Sequence, residues 1–391
     1  MNYQIYIKLF FLTPIIFLFF IIKIFKDFRI NKIISHKIGH FCSPIEIYIC
    51  EKKIDPNKIP IIWFMDKRIA NKFIKKQWSQ KLLILPRQIL EPIYILFRKY
   101  KFFSFFLVDF SKESDAVRRS LKENLKQIDD QNVLLRCEPS IKFSDKEKKY
   151  GDNYLKKIGF YNKKFVTFSS RSFSFHDEKL SSVRNSSINN KISAMKFLVS
   201  KGYKSIRMGK NEKEKLNIND SNIIDYATSS DRSDFLDVYL VSKCEFMLST
   251  SSGLFELAVL FRKPRLIVNY FNIEGLEYYP LNLMIMLKKI KNLSTNKYVS
   301  FEEVYKKKLH HIDSVNEINN LGFETIENSE HEIKRATENF LHLIDNGFEI
   351  GPILKNQKKF WQNIEKYYGY KNKNKTIVCP DFYSNNINLF E

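Results

Sequence analysis

The stretch "LSTSSGLFELAVLFRKPRLIVN", residues 248–269, joins a short apolar approach, three small hydroxyl residues, a glycine, a helical run and another apolar strand. This order predicts a strand, a turn at Thr250–Gly253, a helix over 253–261 and a second strand. The first N–H groups of a helix lack partners inside the helix and point outward, so they can bind an anion. The turn is therefore either a tight connection or a phosphate-binding site.

The same alternation of apolar strands and helical runs is found in the preceding hundred residues. A helical face followed by Gly202 ends one predicted helix, and Ser233 or Asp234 is placed to cap another. Strands that alternate with helices of about 10–12 residues predict a mostly parallel sheet covered on both faces. The predicted strands are 164–170, 204–209, 222–227, 245–250 and 265–270, and the predicted helices between them are 190–202 and 233–244.

Ligands of such sheets collect outside the carboxyl ends of the strands. We therefore expect the residues at those turns to form an anion-binding site, in which guanidinium groups and a helix N-terminus neutralise a diphosphate. Glu256, in the first turn of its helix, either accepts hydrogen bonds from ribose hydroxyls or is an ordinary first-turn carboxylate. The residues at the turns are Arg171, Arg207, Gly209, Asp225, Ser251, Ser252 and Gly253.

The motifs of several other nucleotide and metal sites are missing from the sequence. No GxxxxGK[ST] motif occurs, no GxGxxG follows a strand, and neither HExxH nor Asp-x-Asp is present. The five cysteines are spread along the chain without a CxxC pair, which favours a reducing compartment over a disulfide framework or zinc ribbon. We therefore expect a site that needs neither a metal ion nor a cofactor.

The chain carries a formal charge of +22, but its lysines are scattered and far outnumber its arginines. This pattern favours a basic surface near anionic lipid over specific nucleic-acid binding. Residues Leu9–Ile22 carry no charge and are followed by five basic residues up to Lys37. Residues 1–28 are predicted to be a membrane anchor that spans the bilayer or lies in its interface, and a buried first helix is the alternative.

Residues 29–160 alternate apolar runs and basic stretches, with strands predicted at 45–50 and 59–65 and a helix at 69–78. This pattern predicts a first α/β domain over 29–160. A second α/β domain is predicted over 161–345 and would bind the anion. Residues 346–391 are predicted to form a helical tail.

Three segments carry a resemblance to a known family: "KIGHFCSPIEIYIC" (37–50), the run from "VTFSSRSFSF" (166–175) to "RKPRLIVN" (262–269), and "CPDFYSNN" (379–386). Together they resemble bacterial glycosyltransferases of surface-polysaccharide and O-antigen biosynthesis. The resemblance implies two Rossmann-like domains facing a cleft (GT-B type), with the tail packing back on the N-terminal domain. It also implies a nucleotide-sugar donor, a glycolipid or polysaccharide acceptor and a location on the cytoplasmic side of the inner membrane.

The resemblance extends to individual residues. Arg171 matches a donor-phosphate contact, and Arg184 and Asn185 match an Arg-Asn pair in a loop that closes over donor or acceptor. A general base is expected near the first strand-to-helix turn, where His40 lies and where a histidine has a suitable pKa. Glu46 and Asp66 are alternative bases, and His40 is equally compatible with a structural role. Two other functions stay open: a non-catalytic membrane-associated scaffold, and a nucleic-acid-binding protein.

Overall fold

The computed structural model describes residues 3–108, 129, 132–172, 182–271, 282–368 and 375–390. The chain divides into two compact units, Met1–Ile141 and Lys142–Glu391. The helix Asp145–Lys157, which falls in the predicted first domain, belongs to the second unit.

The first unit is built around two parallel strands, β1 and β2, paired in the register Arg29 to Ile61. Its core gathers apolar side chains from both strands and from the helices around them, among them Ile30, Phe64 and Ile93. The elements are α1 (Tyr3–Phe25), β1 (Arg29–Ile33), α2 (Ile38–Ile54), β2 (Ile61–Met65), α3 (Lys72–Ser79), α4 (Arg87–Lys99), a 3-10 turn (Lys101–Phe106) and α5 (Val133–Arg136).

Two predictions for this unit are confirmed and one is wrong. Strand β2 lies within the predicted strand 59–65, and α3 overlaps the predicted helix 69–78. The predicted strand 45–50 is instead the second half of α2. Residues 41–50 are buried on every side of that helix, so α2 has no solvent-facing side there, and Ile45, Ile47 and Ile49 recur at the two-residue period of a strand.

Helix α1 covers the predicted anchor segment and is packed into the first unit. Phe19 is buried and its ring contacts that of Phe28 edge-on, with 5.6 Å between centroids. In the ranges that the structure describes, no helix combines the length and the apolar character needed to cross a membrane.

The second unit is built on a seven-stranded sheet with the order β11-β8-β7-β6-β3-β4-β5, in which every pairing is parallel. Its strands are β3 (Phe165–Phe168), β4 (Lys204–Arg207), β5 (Ile223–Asp225), β6 (Met247–Ser249), β7 (Arg265–Tyr270), β8 (Leu283–Leu287) and β11 (Ile377–Val378). A separate antiparallel pair joins β9 (Lys289–Asn292) and β10 (Phe323–Ile326).

The helices of the second unit are α6 (Asp145–Lys157), α7 (Ile192–Ser200), α8 (Asp234–Lys243), α9 (Glu256–Leu260), α10 (Phe301–Lys306), α11 (Val315–Asn320), α12 (Glu330–Asp345), α13 (Gly351–Asn356), α14 (Lys358–Tyr368), α15 (Pro380–Asn385) and α16 (Ile387–Phe390). Ser233 caps α8 by accepting a hydrogen bond from the Leu236 N–H, and Gly202 follows α7 at φ 83°, both as predicted. Tail strand β11 pairs with β8, and α15 packs on α12.

Strands that follow β3 in the chain are added on both sides of it in the sheet. The chain runs outward through β4 and β5, returns to β6 on the other side of β3, and continues to β7 and β8. Since crossovers between parallel strands are right-handed, these two runs place their helices on opposite faces of the sheet. Strands β3, β6, β7 and β8 are buried along their whole length, as a doubly covered sheet requires. The predicted parallel α/β fold of this unit is confirmed.

Candidate functional site

The reversal of strand order puts a topological switch point between β3 and β6, where ligands of open α/β sheets bind. The chain segments at the ends of these two strands are joined by hydrogen bonds. Ser169 Oγ lies 2.7 Å from Ser249 Oγ, and the Arg171 N–H donates to Thr250 Oγ1 at 2.8 Å. We call residues 169–171 and 250–253 the switch-point site. The structure thus brings together the two turns that the sequence had placed eighty residues apart.

Arg171 is the cation of this site. The pKa of its guanidinium is lowered to about 10, chiefly by burial and also by the nearby charge of Arg184, while Asp313 acts in the opposite direction. Among the described residues the guanidinium forms no hydrogen bond or ion pair. A partly desolvated guanidinium that donates no hydrogen bond among the described residues favours an anion that can accept from its forked N–H groups.

The hydroxyl-rich turn carries an unused polar atom beside this cation. Ser252 precedes the 3-10 turn Gly253–Phe255 in an extended conformation, the ordinary place for a capping side chain, yet forms no cap. Its Oγ is buried and has no hydrogen-bond partner among the described residues.

The helix after this turn is shorter than predicted. In place of a helix over 253–261 there is one 3-10 turn followed by the five residues of α9. Glu256 is the first residue of α9 and is buried. A single 3-10 turn aligns fewer N–H groups than a full helix, so an anion bound here would depend on Arg171 and the hydroxyls more than on a helix dipole.

Two buried lysines that could not be predicted from the sequence are bonded to the site and to its neighbouring loop. Lys191 is fully buried and donates from Nζ to Ser170 Oγ at 2.6 Å. Burial lowers its pKa to about 7, although the carboxylates of Glu327 and Glu214 favour its charged form. Lys288 donates to the backbone oxygens of Val183 and Asn185 at 2.7 and 2.8 Å.

The pKa of Lys288 is lowered to about 8, again chiefly by burial. In the sequence Lys191 precedes an apolar helix face and Lys288 ends an apolar strand, positions that normally belong to exposed lysines. Lys191 therefore contacts residue 170 of the site directly, whereas Lys288 contacts the loop that carries Asn185.

The loop with Arg184 and Asn185 lies against the switch-point site. Arg184 forms a two-bond pair with Asp313, with Nε and Nη2 each 2.9 Å from a carboxylate oxygen. Asn185 is buried, and the next residue, Ser186, donates its N–H to the Arg171 carbonyl at 3.1 Å. The structure therefore places both predicted residues beside Arg171, with the charge of Arg184 already compensated.

Arg207, Gly209 and Asp225 form a different arrangement from the one predicted. Arg207 is 2% exposed and its guanidinium pairs with Asp225 at 3.1 Å and Glu212 at 3.4 Å. A Cβ on Gly209 would lie 2.5 Å from Glu212 Cγ, so glycine permits this close packing. The charges satisfy one another inside the fold, and a donor contact by these three residues stays a prediction that the geometry does not strengthen.

In the first unit, His40 lies in the first turn of α2, after the carboxyl end of β1. Glu46 is buried within α2 and accepts a hydrogen bond from the Ser140 N–H at 2.9 Å. Asp66, the other alternative base, follows β2 and accepts from His36 Nδ1 at 2.6 Å and from Lys32 at 2.7 Å.

Burial would raise the pKa of Asp66, but hydrogen bonds from Lys32 and His36 and their charges hold it below the usual range. His36 was not foreseen, because nothing in its local sequence shows the partner thirty residues away. Among the residues described, no group of three or more His, Cys, Asp or Glu side chains could hold a metal ion.

No protein-family model matches the sequence, and no curated protein matches it. Solved structures with a related chain path include a glycosyl transferase family 9 protein from Veillonella parvula, at 11% identity over 81% of this chain and 98% of that one, with a TM-score of 0.47. The E. coli ADP-heptose LPS heptosyltransferase II is similar at 12% identity over 61% and 84% of the two chains, with a TM-score of 0.37.

A third, the S. aureus MnaA–UDP complex, has 16% identity over 62% and 79% of the chains and a TM-score of 0.33. At this level of similarity none of these structures decides the activity of the present chain. The function has to be inferred from its own residues.

Proposed function

We propose that the second unit binds a nucleoside-diphosphate sugar at the switch-point site and that the chain is a metal-independent glycosyltransferase of GT-B type. The observation that carries this proposal is that, at the reversal of strand order, the Arg171 guanidinium and the buried Ser252 hydroxyl both lack a hydrogen-bond partner among the described residues. A diphosphate supplies the anionic oxygens that both groups lack. The sequence resemblance to surface-polysaccharide glycosyltransferases supports the choice of a nucleotide-sugar over other diphosphates.

In the proposed complex, Arg171 pairs with the phosphates and the turn Ser251–Gly253 donates to them. Lys191 and Lys288 stay inside the fold and act through their charge. Glu256 accepts hydrogen bonds from the ribose hydroxyls, and the loop of Arg184 and Asn185 closes over the donor.

The reaction transfers the sugar to a hydroxyl of a lipid-linked or polysaccharide acceptor. A general base takes the hydroxyl proton, the oxygen forms a bond to the anomeric carbon, and the bond from that carbon to the diphosphate breaks. The negative charge left on the nucleoside diphosphate is stabilised by Arg171. His40 is the proposed base, with Asp66 and Glu46 as alternatives, on the cytoplasmic side of a bacterial inner membrane.

Thermal unfolding with UDP-, GDP- and ADP-sugars in the presence of EDTA tests donor binding. We expect one nucleotide class to raise the melting temperature of the wild type and of Arg335→Ala, a surface arginine paired with Glu338 and Asp381. Arg171→Ala should lose the shift, since its only change is to the site cation.

A wild type that no nucleotide-sugar stabilises contradicts the proposal, and an Arg171→Ala variant that keeps the shift removes Arg171 from the site. Binding without release of nucleoside diphosphate in the presence of acceptor lipids would favour the non-catalytic scaffold.

A further inference from the structure

Helix α1 has two apolar faces that meet different surroundings. One face belongs to the core of the first unit: Phe19 is 5% exposed, and Leu12 and Ile16 pack beside it against residues of β1 and α4. This packing makes α1 a part of the folded unit and leaves the opposite face without a protein partner in the described residues.

That opposite face is a continuous apolar surface. The exposed fraction reaches 77% at Phe10 and 84% at Phe25. The surface continues onto the 3-10 turn, because the Phe20 ring lies 5.9 Å from that of Phe105 and 6.5 Å from that of Phe102, which is 70% exposed. We call it the α1 surface. Its members are Phe10, Phe11, Phe17, Leu18, Ile21, Ile22, Ile24, Phe25, Phe102 and Phe105.

Positive charges border the α1 surface at the end where α1 meets the 3-10 turn. Lys26 follows the helix, and Arg98, Lys99 and Lys101 precede Phe102; all four side chains are exposed. The first 45 residues contain one acidic side chain, Asp27, and both Lys23 and Arg29 pair with it. The combination of a long apolar stripe and a cationic border matches a bilayer whose headgroups are anionic.

We propose that the first unit docks on an anionic lipid bilayer through the α1 surface, with α1 lying in the plane of the interface. The aromatic and aliphatic side chains enter the boundary between headgroups and acyl chains, and Lys26, Arg98, Lys99 and Lys101 contact the headgroup phosphates. Between Phe10 and Ile22 the only polar residue on the helix is Thr13, so the surface offers almost no hydrogen-bonding pattern for a protein partner to recognise. The inference uses the first unit alone and does not rest on the proposed transferase activity.

Flotation of the full-length protein with vesicles tests the proposal. We expect the protein to float with vesicles of phosphatidylglycerol and phosphatidylcholine, and at least roughly tenfold less with phosphatidylcholine alone. The double variant Phe25→Ser/Phe102→Ser should bind anionic vesicles at least tenfold more weakly. The control is Tyr298→Ser/Leu321→Ser, which removes two exposed apolar side chains from the second unit and should float as the wild type does.

Two further measurements separate lipid docking from other occupants. The tryptophan fluorescence of the Phe102→Trp variant should be quenched more than that of the wild type by lipids brominated near the headgroup end of the acyl chain. Such quenching reports shallow insertion. Lys99→Glu/Lys101→Glu should lose most of the preference for anionic vesicles while the circular dichroism spectrum stays unchanged.

Equal flotation of the wild type, the Phe25→Ser/Phe102→Ser variant and the control would overturn the proposal. So would a concentration-dependent dimer without lipid that the Phe25→Ser/Phe102→Ser variant abolishes, because the α1 surface would then be covered by a second copy. Nucleotide-sugar thermal shifts of the same variants report on the second unit and keep a failure of lipid docking distinct from a failure of donor binding.

Discussion

Lys191→Met is the most informative single change at the switch-point site, because it removes a buried charge without removing a side chain that we propose to touch the ligand. With a pKa of about 7, Lys191 is mostly neutral at pH 8 in the free protein. A unit negative charge about 6 Å from Nζ, at an effective dielectric constant of about 20, favours the ammonium form by about 3 kcal/mol, or roughly two pKa units.

The number of protons that the protein takes up when the ligand binds can be measured. At pH 8 a shift of the Lys191 pKa from about 7 to about 9 takes up about 0.8 proton on binding, and a similar shift of Lys288 from about 8 takes up about 0.5 more. At pH 6 both lysines are already charged, so uptake falls to about 0.1. A nucleotide-sugar is a suitable probe, since its diphosphate does not titrate in this range.

Isothermal titration calorimetry in buffers with different ionisation enthalpies measures the uptake. We expect about 1.3 protons for the wild type at pH 8, about 0.5 for Lys191→Met, and the wild-type value for the surface control Lys306→Met. Uptake below 0.2 in the wild type, or uptake that Lys191→Met leaves unchanged, would show that no anion binds near Lys191.

The same variant should be more stable than the wild type at neutral pH. The folded pKa of Lys191 lies below its unfolded value of 10.5, so the unfolded state binds more protons between these values and stability rises with pH across that window. The corresponding cost is about 4 kcal/mol at pH 7 and falls below about 0.5 kcal/mol near pH 10.5. The variant also loses the hydrogen bond to Ser170, which is worth about 1 kcal/mol. Urea unfolding should therefore show Lys191→Met to be about 3 kcal/mol more stable than the wild type at pH 7.

Three further changes test the framework around the sites. Arg207→Met should lower the free energy of unfolding by roughly 3–5 kcal/mol in urea titrations, because it leaves the partner carboxylate of Asp225 without its cation; an unchanged midpoint contradicts the pairing. Gly151→Ala should cost about 1–3 kcal/mol or more, since its Cβ would lie 2.2 Å from the Tyr239 ring, and calorimetry that finds no loss would refute this contact. The folded pKa of Asp66 is lowered, so its contribution to stability is present above the unfolded pKa of 3.8 and is lost as pH falls through the folded value. The difference in the free energy of unfolding between the wild type and Asp66→Asn should therefore shrink below pH 4. A difference that stays constant down to pH 2 would show that Asp66 is not stabilised as a carboxylate.

The sequence predicts the second unit better than the first for a physical reason. In the second unit β3, β6, β7 and β8 are short, buried along their whole length and bounded by turn or capping residues, so their apolar runs stand out in the sequence. In the first unit α2 is buried on all sides, and β1 contains Asn31 and Lys32, which weakens its strand pattern. Local periodicity is misleading where a buried helix carries apolar residues at alternate positions, or where a strand has little apolar character.

The candidate site follows the same division between local and non-local information. Arg171 and the turn 250–253 could be predicted, because parallel strands bring their carboxyl ends to one edge whatever the details of packing. Lys191, Lys288 and His36 could not, because their character comes from burial and from partners far away in the chain. A lysine that the fold buries behind an anion site has the same sequence signature as a lysine in solvent.

The contrast between the two predicted arginines shows how position relative to a strand end decides the role of a charge. Arg207 is the last residue of β4 and is paired in register with Asp225 of β5, so its guanidinium remains within the sheet's own charge network. Arg171 stands three residues beyond the end of β3, past the last paired residue, and the Asp313 carboxylate that acts on its pKa is already paired with Arg184. A charge inside the ladder is compensated by its cross-strand neighbour, whereas a charge beyond it is available to a ligand. These positions support the proposal that the second unit binds its anion through Arg171 and the turn 250–253, while Arg207 and Asp225 pair across β4 and β5.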